Sequence, residues 1–299
     1  MKGCARSCFL WLAGWAAASA AFYVYLQRFT RLEPQIWWAS GGAGLCAVLV
    51  WSYVYGIVTT AKERSMLREA AVGGQPQDGK WVAVSGTIRS LNPLRTPMTN
   101  VPAVAYEYEV YRITSSGGKN SSSTKHTYYQ GKALAASTIA TRQGVVRVLA
   151  VPSLAEIRGE ETNTSQAIAN VTEYIQNTVF QTSETPKDKR IGMAEEHADD
   201  DGTFRVDKKM IDEPPEIEQC FLDEKHIKQG EAVCAFGLYS AQRGGLVPHP
   251  NWAKQARIMR GDATAVAAQL RNRMIKYAVG VVIAGGAAYG IVILYSNAG

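Results

Sequence analysis

Three stretches of the chain carry no charged residue: Phe9 to Leu26, Ile36 to Ala61 and Tyr277 to Ser296. Each is close to the ~20 apolar residues a helix needs to cross a bilayer. Aromatic residues sit near the ends of these stretches, at Trp37, Trp38, Tyr53, Tyr55, Tyr277 and Tyr295. Such rings anchor at the level of lipid headgroups. Small residues recur at helical spacing, at Ala13, Ala17 and Ala21, at Ala39 and Ala43, and at Gly286 and Gly290, and small faces let membrane helices approach closely. The pattern predicts transmembrane helices over about 9–28 and 36–60 within an N-terminal segment 1–61, and a third in 275–299. For the first stretch a signal peptide is the alternative, since Lys2 and Arg6 precede the apolar run and small residues follow at Ala18 and Ala20.

Between these stretches, over 62–274, the apolar period changes to two. The second helix continues past Ala61, with Met66, Leu67 and Ala70 on one face, until Gly73, Gly74 and Pro76 stop it. "KWVAVSGTIRSL" alternates as a strand, with Val82, Val84 and Ile88 on one face. "AVAYEYEVYRIT" puts Val104, Tyr106, Tyr108 and Val110 on one face, all good β-formers. "NPLRTPMTNVP" between them reads as a loop, "GGKNSSSTKH" as a hairpin tip, and "HTYYQG" and "GVVRVLAV" as short strands. The period then lengthens: Ile168, Val171, Ile175 and Val179 share a helix face, predicting a helix over 165–181 with Ser165 as N-cap. A polar, charged segment over about 182–202 has little to bury and reads as a flexible insertion. Strands resume in "TFRVDKKMI", "QCFLDEKHIKQG" leads on, "RGGLVPHP" is a turn, "QARIMRG" is a last strand, and Asp262 is the expected N-cap of the final helix.

One phrase is written twice, "GKWVAVSGTIRS" from Gly79 and "GEAVCAFGLYSA" from Gly230. Each has a glycine inside a strand pattern, Gly86 and Gly237, where a glycine often marks a bulge or a tight barrel bend. The repetition predicts two similar β-units packed into a small barrel or sandwich, most simply two matching barrel strands; the alternative is that an alternating apolar run ending in glycine is common strand vocabulary. The predicted architecture is therefore membrane-anchored α+β: a mainly antiparallel β barrel- or sandwich-like soluble domain with an inserted helix, flanked by transmembrane helices.

Charge changes this picture through its location. Of 32 basic and 26 acidic residues, ten and three respectively lie outside 70–270, so that region holds 22 and 23. The excess of +6 belongs to the ends of the apolar stretches rather than to a nucleic-acid-binding face. Lys2, Arg6 and the basic flanks of 62–274 share a side if all three stretches span, which places the soluble domain in the cytoplasm by the positive-inside rule. Arg28 and Arg31 lie in the loop on the other side. The sequons at Asn120, Asn163 and Asn170 matter only in a glycosylating lumen.

Candidate chemistry is sparse. The chain contains no P-loop, G-x-S-x-G, H-E-x-x-H or C-x-x-C. Cys4 and Cys8 have ligand-like spacing but no answering pair, and the acidic run Glu195, Glu196, His197, Asp199, Asp200 and Asp201 reads as a solvated loop. No metal or other cofactor is expected, and no catalytic residue is assigned. Cys220 and Cys234 could pair, but two reduced thiols are expected in a cytoplasmic domain, with Cys234 a core residue. The best candidate for recognition is the loop bearing Arg243, Gly244, Gly245 and His249, where a fork of donors meets exposed backbone; a plain hairpin turn is the alternative.

The order of these segments carries a resemblance. A basic-flanked apolar stretch, "VAVSGTIRS", "TPMTNVPAVAYEYEVY", "GVVRVLAVPSLAEI", a helix, "IKQGEAVCAFGLYSAQRGGLVPHP" and a closing apolar stretch resemble the GIDE-type domain, also called BAM for "beside a membrane". The resemblance covers about 60–296. That family includes a mitochondrial ubiquitin ligase and many prokaryotic membrane proteins. The ligase carries a RING, which needs about eight paired Cys/His ligands for two zincs, and the soluble region here supplies no such pairs. The resemblance thus implies a non-catalytic, membrane-tethered binding or scaffold module. The alternative it implies is an E3 ubiquitin ligase-like member acting with a partner in trans. The proline loop resembles that of prokaryotic members and implies a multi-pass protein of a bacterial inner membrane. Expected partners are the lipid bilayer and either a protein partner or further copies of the chain through the small-residue helix faces.

Overall fold

The computed structural model describes residues 2–28, 33–115, 123–182, 203–211, 216–250 and 254–296. The chain divides into two compact units, one of 1–65 with 267–299 and one of 66–266. The predicted insertion over about 182–202 and the acidic run inside it lie outside the described residues.

The first unit is helical. Helix α1 spans Lys2–Leu26 and α2 spans Glu33–Val72, and the final helix, α4, spans Ala263–Ser296. Two segments, Ile36–Val72 and Ala263–Tyr295, are long and apolar enough to cross a membrane; the described apolar part of α1, Trp11–Leu26, is shorter. Large apolar side chains on α2 and α4 face outward, with Trp38 84% and Val282 73% exposed. The helices meet at small residues. A side chain on Gly44 would overlap Ser19 of α1, one on Gly56 would overlap the Tyr277 ring, and one on Gly280 the Tyr53 ring. Two tyrosines of α2 and α4 are thus each seated on a glycine of the other helix. Among the described residues the expected face of Gly286 and Gly290 meets nothing within 4 Å of a Cβ built at either. Ala39 and Ala43 are buried, whereas Ala13, Ala17 and Ala21 stay exposed.

The second unit is built on two sheets. Its strands are β1 (Trp81–Ser90), β2 (Leu94–Arg95), β3 (Pro102–Ser115), β4 (Ser123–Leu134), β5 (Ser137–Ala140), β6 (Val145–Val148), β7 (Glu160–Glu161), β8 (Gln181–Thr182), β9 (Phe204–Lys209), β10 (Phe221–Lys228), β11 (Ala232–Ser240), β12 (Gly245–Val247) and β13 (Arg257–Arg260). Helix α3 covers Ser165–Asn177. In the first sheet β1 pairs with β5, β5 with β6, β6 with β12 in parallel, β12 with β11, and β11 returns to β1. Five strands therefore close a small barrel, with β13 added beside β11. Alternate residues fill it: Val84, Ile88, Ile139, Val146, Val148, Val233, Ala235 and Leu246.

The two matching phrases are β1 and β11, and they are hydrogen-bonded neighbours. Their antiparallel register sets Val82 opposite Gly237 and Gly86 opposite Val233. They lie side by side in one barrel as two matching strands, so each phrase supplies half of the same seam. Both glycines fall on the parity that points into the barrel, and they differ in use. A side chain at Gly86 would overlap the Ala140 carbonyl oxygen, whereas one at Gly237 would make ordinary 3.5 Å contacts with Ala256 and Leu246.

The second sheet has the order β7-β10-β3-β4-β9-β8, with β2 beside β3. Its inner end shares the barrel core through Val104, Leu134, Phe204 and Ile227. Tyr106, Tyr108 and Val110 do share a face, and α3 lies on it through Ala167 and Val171. The helix is shorter than expected, ending at Asn177, and its N-cap is Thr164, whose hydroxyl accepts from the Ala167 amide at 3.2 Å. Val179, expected on the buried face, is 95% exposed beyond the helix end. "QCFLDEKHIKQG" supplies a full strand, β10, and the segment expected as a turn contains β12. Asp262 caps α4, accepting from the Ala265 amide at 2.8 Å.

Candidate functional site

The face of the second sheet beneath α3 carries two neighbouring rows of residues that no single segment of the sequence contains. Asp207 of β9 is opposite Gly131 of β4, Gly131 opposite Tyr108 of β3, and Tyr108 opposite Glu224 of β10. One step along, Arg205, Ala133, Tyr106 and His226 form the next row. Tyr106, Tyr108, Asp207, Glu224 and His226 are all buried. Buried polar side chains persist when their hydrogen bonds are made inside the protein, and two clusters make them here for all but His226, whose ring nitrogens have no partner among the described residues.

At one end Asp207 takes three donors. The Tyr108 hydroxyl donates to Oδ1 at 2.7 Å, the Tyr174 hydroxyl of α3 to the same atom at 2.8 Å, and Arg205 Nε to Oδ2 at 2.9 Å. The Arg205 guanidinium also lies 5.0 Å over the Tyr174 ring, and the Tyr106 and Tyr174 hydroxyls are 3.2 Å apart. Gly131 makes room for this: a side chain there would overlap both the Asp207 carboxylate and the Tyr108 ring. Burial first, and the Asp207 charge second, push the Tyr108 phenol far above its ordinary range, so it remains a donor. Burial together with Tyr106 and Asp207 does the same for Tyr174. The cluster fastens α3 to the sheet.

At the other end Glu224, fully buried, holds the proline loop. Its Oε2 accepts from the Met98 amide at 2.7 Å and its Oε1 from the Thr99 hydroxyl. Asn170 of α3 donates to the Met98 carbonyl at 2.8 Å, so the same loop residue is held from both sides. Burial acts to raise the Glu224 carboxyl, but the nearby His226 ring, the Thr99 hydroxyl and the Met98 amide outweigh it and hold the group below its ordinary value. Two of the sequon asparagines are committed inside the fold. Asn170 serves the loop, and Asn163 Oδ1 accepts from the Leu222 amide at 3.2 Å.

The residues singled out in the sequence lie elsewhere. Arg243 and Gly244 form the tight turn joining β11 to β12, with Gly244 at φ +61°. Gly245 starts β12, packed so closely on the Arg147 carbonyl that a side chain would not fit. His249 lies edge-on to Trp81 of β1, with ring centroids 5.9 Å apart. Asp78 accepts from the Ala241 amide at 2.7 Å and ties the turn to the start of β1. No protein-family model, curated protein or solved structure matches this chain.

Cys220 and Cys234 are buried free thiols rather than a bridge. Burial raises both, Cys234 to about 11, and the Cys234 sulfur sits 3.3 Å from the Ser85 hydroxyl across the barrel seam. A buried thiol kept protonated is a poor nucleophile. Alkylation of the native chain with iodoacetamide at pH 7.5 is therefore expected to spare both cysteines, and modification is expected only after unfolding. Mass spectrometry of the labelled peptides decides; rapid native labelling of Cys234 would show a thiolate that this geometry does not produce. Among the described residues no group of three or more Cys, His, Asp or Glu side chains could hold a metal ion.

Proposed function

We propose that this chain is a non-catalytic, membrane-tethered binding or scaffold module of the GIDE/BAM type. The observation that carries the reading is the layout of the chain. The β-rich unit, 66–266, begins inside one helix long and apolar enough to cross a membrane and ends inside another. Its buried polar groups support the same reading. Asp207 and Glu224 spend their oxygens on fastening α3 and the proline loop, and the thiols stay protonated. The basic flanks favour a cytoplasmic β unit, and the resemblance of the proline loop to that of prokaryotic members favours a multi-pass protein of a bacterial inner membrane. The β11–β12 turn with Arg243, Gly244 and Gly245, together with His249, is the proposed contact surface for a protein partner.

The test is crosslinking of the tagged full chain in intact membranes, followed by alkaline extraction, purification and identification of attached proteins. The chain is expected to resist extraction and to carry a partner whose attachment needs 75–260. That attachment is expected to survive Cys220→Ser and Cys234→Ser and to weaken at least several-fold with Arg243→Ala. Recovery of stoichiometric zinc, or of a thioester on a cysteine, would replace this reading with a ligase-like one. Recovery of the chain alone would replace the partner with a homo-oligomer.

A further inference from the structure

Helices α1 and α2 meet through Ser19 against Gly44, through the Trp15 indole, which donates to the Gly41 carbonyl oxygen at 3.0 Å, and through the Tyr23 and Trp37 rings, with centroids 4.7 Å apart. Beside these contacts the two helices leave a cavity of about 540 Å³, within the roughly 300–1,000 Å³ of sites that hold small ligands. Trp15, Tyr23, Trp37 and Trp38 line it with rings, and Ala16 and Ala20 give it room. We propose that this cavity holds one acyl chain of a phospholipid whose phosphate is met by Arg28. The site rests on the membrane-tethered reading and names the lipid chemistry that goes with it.

The lining selects hydrocarbon. No lining residue carries a charge. The Ser40 hydroxyl donates to the Trp37 carbonyl oxygen at 3.0 Å, and Ser19 Oγ is buried where α1 meets Gly44. An apolar cavity stays dry, and one left empty forfeits dispersion contacts along its walls. Hydrocarbon restores those contacts and brings no polar group that needs a partner. The shape points the same way. On α1 the lining runs from Trp15 to Val24, about 13 Å of helix. A volume of about 540 Å³ over that length is a mean section of about 40 Å². A helix about 10 Å across has roughly twice that section, so a chain of methylenes fits where a helix of a second copy does not.

The head of the ligand is set by the end of the cavity. Trp37 and Trp38 begin the apolar stretch of α2, where rings sit at the level of lipid headgroups. Arg28 lies in the turn that closes α1, its amide donating to the Tyr25 carbonyl oxygen at 3.2 Å, and the residue is exposed. It stands four residues beyond Val24 of the lining, about 6 Å along the axis. A guanidinium takes two phosphate oxygens at once. A phospholipid brings both parts that this place calls for, a hydrocarbon chain for the rings and an anionic phosphate for Arg28.

The test uses the full chain in nanodiscs that contain a phosphatidylglycerol with a photoactivatable diazirine on one acyl chain. Mass spectrometry then maps the labelled residues. Label is expected to concentrate on 15–24 and 37–41, and to fall several-fold there in Ala20→Phe, which fills the cavity. Label on the outward Val282 of α4 is expected to stay unchanged. Arg28→Gln is expected to lower the cavity label several-fold as well, and a diacylglycerol with the same diazirine chain, which has no phosphate, is expected to label the cavity weakly. Arg28 is exposed at a helix end, so its replacement keeps the test open should Ala20→Phe fail to fold. Label spread evenly over the outward faces of the helices, label unchanged by either variant, or crosslinks from 15–24 to a second copy in place of lipid would each overturn the site and leave the tether standing. Release of the unaltered chain from membranes by alkali would overturn both.

Discussion

Gly86→Ala is expected to break the barrel, and Gly237→Ala is expected to leave it intact. The two glycines occupy matching places in matching strands, which makes the contrast a direct test of how closely β5 is packed on β1. A methyl group at Gly86 meets the backbone oxygen of Ala140 on the next strand, and backbone cannot rotate away as a side chain can. Either β5 moves off β1 or the bulk is absorbed as strain, and overpacking of this kind costs about 3 kcal/mol. At Gly237 the same methyl group reaches only side-chain carbons at contact distance. Its backbone is not in the positive-φ region, so alanine there recovers the roughly 0.5 kcal/mol that glycine loses in a strand. Chemical denaturation of the full chain in micelles, followed by near-UV circular dichroism, separates the two. Equal midpoints for both variants would refute the close approach of β5 to Gly86 of β1.

Asp207→Ala is the second large effect. It leaves the buried Tyr108 hydroxyl and the largely buried Tyr174 hydroxyl without their acceptor. Each orphaned donor costs about 1–3 kcal/mol, and a total loss of about 3 kcal/mol is expected once the Tyr106–Tyr174 contact takes up part of the deficit. Arg205 adds little to this sum. Its side chain is 47% exposed and hydrates once released. Because Tyr174 belongs to α3 and Tyr108 to the sheet, the loss is expected to show first as faster hydrogen exchange in α3. A double-mutant cycle of Asp207→Ala with Tyr174→Phe is expected to give a coupling of about 1 kcal/mol or more. Additivity of the two changes would mean that the carboxylate does not join helix to sheet.

What the sequence made legible, and what it did not, divides along the range of the interactions. The alternation in β1, β3 and β11 is local, and so is the apolar length of α2 and α4. These features could be read directly, including the shared face of Tyr106, Tyr108 and Val110. The polar rows are not local. Asp207 lies in "FRVDKK" and Glu224 and His226 in "FLDEKHIK", segments that read only as a strand and as a lead into the next one. A signal was present in the second: Leu222, Glu224 and His226 share one parity, and an apolar residue of that parity marks the covered face. Gly131 gave no such signal, because its need for space comes from Asp207 and Tyr108 on two different strands. The loop proposed for recognition was legible as a loop, but its tight tie to the start of β1 through Asp78 and Trp81 was not.

The pairing of β1 with β11 also sets an order of events during synthesis. β3 and β4 are neighbours in the chain and can pair as soon as both have been made. β1 cannot close its seam until β11 exists, roughly 150 residues later, and contacts across such a separation form slowly. For that interval β1 is a strand edge with an unfilled partner position, joined through the segment 73–80 to a helix apolar enough to enter a membrane. Until its distant twin arrives, the growing chain carries the kind of open edge that invites pairing with the wrong strand.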